Sequence, residues 1–137
     1  MGGSVGLVTA ATWTFAALVG VYLMARWLAG GGLRRQAAKV TRFPTTLIIA
    51  HPALALSSLG CWTAHLVTGS PPLAWAAFGG VSAAALLGFA MSTRWLGSGR
   101  HERGARGVPR LALALHAAAG VATFVLVLLG AGAGRVL

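Results

Sequence analysis

Three histidines set in apolar surroundings, His51, His65 and His116, are the residues of this 137-residue chain best placed to do chemistry. An imidazole can ligate a metal, carry a proton or hydrogen-bond a neighbouring helix. His51 and His65 lie fourteen residues apart in FPTTLIIAHPALALSSLGCWTAHLVT. At about 100° per residue a helix turns fourteen steps to within about 40° of its starting direction, so both rings leave from one face, roughly 21 Å apart along the axis. His116 belongs to a separate apolar stretch, PRLALALHAAAGVATFVLVLLGAGAG. His51 comes eight residues after Phe43 and His116 six after Arg110. They therefore sit roughly 12 Å and 9 Å from the same boundary, while His65 is roughly 33 Å from it. Two of the three histidines are level with each other.

The elements that hold them are apolar helices. Hydrophobic residues make up 57% of the chain and charged ones 9%, and the mean hydropathy is +0.79. That composition excludes an ordinary soluble domain and makes the bilayer the solvent. Residues 1–25, 43–93 and 111–134 carry no Lys, Arg, Asp or Glu. A helix needs about 20 residues to cross the hydrocarbon, so the outer blocks are single spans and the middle one is two. The break falls at Thr68-Gly69-Ser70-Pro71-Pro72, where a glycine can cap one helix and consecutive prolines stop it. The expectation is an all-α integral membrane protein, a single domain of four transmembrane helices at about 7–29, 44–68, 72–96 and 109–133. No basic segment precedes the first apolar run, so 7–29 reads as a retained helix and not a cleaved signal.

Ten of the eleven basic residues flank two connections: Arg26, Arg34, Arg35, Lys39 and Arg42 the first, Arg94, Arg100, Arg103, Arg106 and Arg110 the second. Because Lys and Arg in short loops stay cytoplasmic, both termini and the 68–72 turn are expected outside a plasma membrane. Alkaline phosphatase fused after Leu137 should then be active, and a reporter that works only in the cytoplasm should be silent there; the reverse pattern would overturn the orientation. This topology accounts for the net charge of +10 without nucleic acid. In GGLRRQAAKVTR, Leu33, Ala37 and Val40 recur at helical spacing between basic residues, which suits a segment lying on anionic lipid.

Other residues point away from chemistry. Cys61 is the one cysteine, which excludes an intramolecular disulfide and cysteine-pair redox chemistry. Glu102, the one acid, stands beside His101 in a glycine-rich connection and not in a span. Proton-coupled carriers normally need an embedded carboxylate, so transport is disfavoured. Trp13, Tyr22, Trp27, Trp75 and Trp95 lie near span ends as interface anchors, and Met24 reads as packing. Gly80, Ala84 and Gly88 repeat every four residues, a ridge along which a helix of this chain or of another subunit can approach closely.

His51 and His116, level on two helices with Ser58 and Gly120 within two turns, have the types and depth to be the two axial ligands of one haem b, with iron's other four positions filled by the porphyrin. Zinc would need a third or fourth protein ligand, and none is near that level. A pair of interhelical hydrogen bonds is the structural alternative. The His-x13-His spacing of the second span resembles that of membrane b-type cytochromes. The resemblance implies haem-mediated electron transfer, with a quinone as a candidate partner and His65 as a less certain ligand at the outer level. Position 130, fourteen beyond His116, is glycine, so His65 lacks an opposite number there. Two functions remain open: a small b-type cytochrome or cytochrome subunit, and a non-catalytic accessory or anchor subunit of a larger membrane complex or homo-oligomer.

Overall fold

The computed structural model describes residues 2–37, 45–98 and 109–133. They form α1 (Gly2–Ala29), a short α2 (Gly32–Ala37), α3 (Thr45–Thr68), α4 (Pro71–Ser98) and α5 (Arg110–Ala133). All four long helices are long and apolar enough to span a bilayer. The chain is thus an all-α, four-helix membrane bundle. The second and fourth spans match the expected bounds to within one residue. The first begins five residues earlier, because nothing in Gly2–Gly6 stops a helix. Leu33 and Ala37 fall on α2, whereas Lys39, Val40, Arg42 and the His101-Glu102 pair lie outside the described residues.

The α3–α4 turn forms as its residues dictate. Gly69 takes φ 69°, the left-handed conformation that glycine adopts without penalty, and its N–H donates to the His65 carbonyl at 2.8 Å. Pro71 then opens α4 at the first helical position, where a missing N–H costs nothing. Pro52 does not break α3, which continues on both sides of it. Several hydroxyls in the spans satisfy themselves locally: Thr9 donates to Val5 O at 2.8 Å and Ser58 to Leu54 O at 2.6 Å, whereas the buried Thr123 Oγ1 has no partner among the described residues.

Helix α3 packs along α4 and α1 along α5, while α1–α3 and α4–α5 make the two thinner sides. Helices α3 and α5 therefore face each other across a diagonal. Leu18, Val67, Leu86, Phe89, Leu111 and Val121 are each more than 60% exposed, as side chains solvated by lipid can be. The core proper lies towards the α3–α4 turn, built from Trp13, Trp62, Ala74, Ala77, Val81, Val127 and Ala131, so Trp13, expected at the interface, is a core residue instead. Trp62, 1% exposed, fills the middle of that half and donates from Nε1 to Gly6 O at 3.3 Å. Trp62→Ala should destabilise the bundle by on the order of 3 kcal/mol through the cavity left behind. Unfolding of the detergent-solubilised protein by SDS measures this, with lipid-facing Leu86→Ala expected near zero.

Candidate functional site

His51 is six residues into α3 and His116 six into α5, each about 9 Å from its helix start at 1.5 Å per residue. The level counted from the sequence becomes a contact across the bundle. The two rings stand with centroids 5.9 Å apart and planes at 77°. Both are half-buried.

Each ring is held by the backbone of a neighbouring helix. His51 Nδ1–H donates to the Ala84 carbonyl on α4 at 2.8 Å, and His116 Nδ1–H to the Ala16 carbonyl on α1 at 2.9 Å. A carbonyl can only accept, so the proton of each neutral ring is on Nδ1 and Nε2 is the electron-donating nitrogen. This is the arrangement in which metal-binding histidines are found, with the second nitrogen fixing tautomer and rotation. Four residues after each carbonyl is a glycine. A Cβ on Gly88 would stand 3.0 Å from His51 Cε1, and one on Gly20 would stand 3.0 Å from His116 Cε1. Both imidazoles lie flush against a bare backbone.

Two imidazoles are the donors that this pair offers to a metal ion or to the iron of a haem. With a metal–nitrogen bond of about 2 Å and about 1 Å more to the ring centre, two imidazoles sharing one metal have centroids roughly 6 Å apart, close to the separation here. Among the described residues no group of three or more His, Cys, Asp or Glu side chains comes together. Among the residues whose burial is described, α1 has no buried residue beyond Ala16 and α4 none beyond Ala84. The helices are less closely filled here than around Trp62.

The other expected site residues have different surroundings. His65 Nδ1–H donates to the Ser70 carbonyl at 2.8 Å, and the ring rests 5.3 Å from that of Trp62. It ties down the α3–α4 turn. Ser58 is buried against Gly80, two turns from His51, with its hydroxyl turned back to Leu54 O. Gly120, one turn from His116, has open space where a Cβ would be. The ridge of Gly80, Ala84 and Gly88 faces α3 of the same chain, since Gly80 abuts Ser58, Ala84 accepts from His51 and Gly88 abuts its ring.

Sequence reasoning missed the glycine seats, although a signal for them exists. Ala16-Ala17-Leu18-Val19-Gly20 followed by Arg26-Trp27-Leu28 recurs as Ala84-Ala85-Leu86-Leu87-Gly88 followed by Arg94-Trp95-Leu96. Seven residues before each bundle histidine is a proline, Pro44 and Pro109. The first pair of segments is offset by 68 and the second by 65, so the chain is one two-helix unit written twice with three residues fewer in the second connection. The packing obeys the repeat: Trp13 and Val81, Ala16 and Ala84, Ser58 and Thr123, and Trp62 and Val127 are all buried. Each unit's histidine is seated on the other unit's first helix, which places the pair on a pseudo-two-fold axis.

Fold and site together define a four-helix membrane protein with a symmetric bis-imidazole pair on its axis. Scans against protein-family models, curated proteins and solved structures find no match to the chain.

Proposed function

We propose that the chain is a small b-type cytochrome of the plasma membrane, alone or as the cytochrome subunit of a larger redox complex, with His51 and His116 as axial ligands of one haem b. The observation that carries this reading is the paired anchoring: two facing imidazoles, each fixed as the Nδ1–H tautomer by a backbone carbonyl. Bound there, haem b supplies a one-electron Fe(III)/Fe(II) couple. The chain's own contribution is to fix both rings as the Nδ1–H tautomer, leaving each Nε2 as the donor nitrogen, and to surround them with apolar helices whose low dielectric sets the potential. A quinone is the partner such a site would serve within a membrane.

The accessory-subunit alternative relied on the α4 ridge as a docking surface. That ridge is engaged by α3 within the chain, which removes the specific support for it. The deciding measurement is the absorption spectrum of the purified protein, oxidised and then dithionite-reduced. A sharp α band on reduction is expected from low-spin six-coordinate iron, and a preparation carrying no haem would end the cytochrome reading.

A further inference from the structure

Resting on that reading, we infer that the chain exchanges electrons at one face only, the end of the bundle where α1 and α4 finish and α3 and α5 begin. The histidine pair is six residues from the starts of α3 and α5 and seventeen from their ends at Thr68 and Ala133. At 1.5 Å per residue that is about 9 Å from one end and about 25 Å from the other.

The far half is closed to a second centre by its own packing. Under the 65-residue offset the counterpart of His65 is Gly130, and a Cβ there would stand 2.6 Å from Cη2 of Trp62. The tryptophan thus occupies the volume in which a ligand opposite His65 would have to sit. It is held by its bond to Gly6 O and closed in by Trp13, Val127 and Ala131. His65 has the same kind of Nδ1–H bond as the bundle pair, to the Ser70 carbonyl, but its ring faces Trp62 at 5.3 Å and not a second imidazole. One half of the bundle holds a symmetric imidazole pair, and the other an asymmetric aromatic plug.

Electron tunnelling falls exponentially with distance, so a single centre near one face and a packed half beyond it give exchange with that face alone. The step is a simple one-electron exchange. With haem held by His51 and His116, one electron would enter from a one-electron donor at the near face and leave to a one-electron acceptor at the same face, with no atom or proton transferred. The chain is then a relay along one membrane surface and not a wire across the bilayer.

Vesicles containing the haem-loaded full chain in mixed orientations test this. Trypsin added outside cuts at Arg34 and Arg35 only in molecules whose near face is outward, which gives that fraction. The haem is reduced by a permeant reductant, the reductant is removed, and ferricyanide, which does not cross the bilayer, is added outside. The fraction oxidised rapidly should equal the trypsin-cut fraction, and lysis by detergent should release the rest. Rapid oxidation of the whole population, or of the trypsin-protected fraction, would overturn the inference while leaving the haem reading intact. Absence of any α band would overturn the haem reading itself. A second readout needs no haem: with Cys61 replaced by alanine, Val127→Cys should resist a water-soluble maleimide from both sides, and labelling from the far face would show that the plug is open.

Discussion

His51→Ala and His116→Ala are each expected to abolish the reduced α band, while His65→Ala leaves it in place. The two imidazoles are equivalent under the pseudo-two-fold axis and are held by matching bonds of 2.8 and 2.9 Å, so their losses should be alike in size. Changes to residues that merely orient a metal ligand cost about 10–100-fold in metal affinity, and removing the ligand itself should cost more. Five-coordinate iron would also lose the sharp low-spin spectrum even where some haem is retained. A glycine in place of His116 leaves a space that free imidazole can enter, and added imidazole should restore the band in His116→Gly. His65 makes its bond to the α3–α4 turn, so its replacement should lower stability modestly without touching the spectrum. Loss of haem on His65→Ala alone, with His116→Ala unaffected, would show that the ligand pair has been misassigned.

The architecture was legible because the bilayer imposes it. Uncharged runs must be about 20 residues long to span, and Thr68-Gly69-Ser70-Pro71-Pro72 can form nothing but a turn at that place, so the helix bounds follow from counting. The level of His51 with His116 follows from the same arithmetic. What counting cannot supply is rotation about each helix axis. Spacing showed that Gly80, Ala84 and Gly88 admit a close neighbour, but a small side chain does not name the neighbour, which proves to be α3 and the His51 ring.

The anchors of the histidines were hidden for a different reason. Both acceptors are backbone carbonyls, and Ala16 and Ala84 carry no side-chain mark of that role. Only the duplication distinguishes them, and it is weak locally because the tightest helix packing, α3 with α4 and α1 with α5, joins elements from different units. Ser58 and Gly120 were sensible choices by proximity in sequence. The seats on Gly88 and Gly20 come from helices 37 and 96 residues away along the chain.

Those seats give the second large expected effect. Gly20→Leu and Gly88→Leu should each remove the low-spin signature, and should do so about equally, whereas Gly79→Leu should not. An alanine in a helix interior is normally worth about 0.5–1 kcal/mol over glycine, and at Gly79 and Gly60, where a Cβ meets nothing within 4 Å, Gly→Ala should show that gain in SDS unfolding. At Gly20 and Gly88 the same Cβ lies 3.0 Å from an imidazole carbon and 3.4 Å from its Nδ1. The ring must move by a few tenths of an ångström, which stretches the Nδ1–H bond and tilts Nε2, so the gain should vanish and the α band should broaden. A leucine there cannot be accommodated by so small a shift and displaces the imidazole outright. Circular dichroism separates this from unfolding, since helix content should persist in all of these variants. Leucine at both seats with helix content and the α band unchanged would mean that the imidazoles do not lie against these glycines, and the site would have to be rebuilt from other contacts.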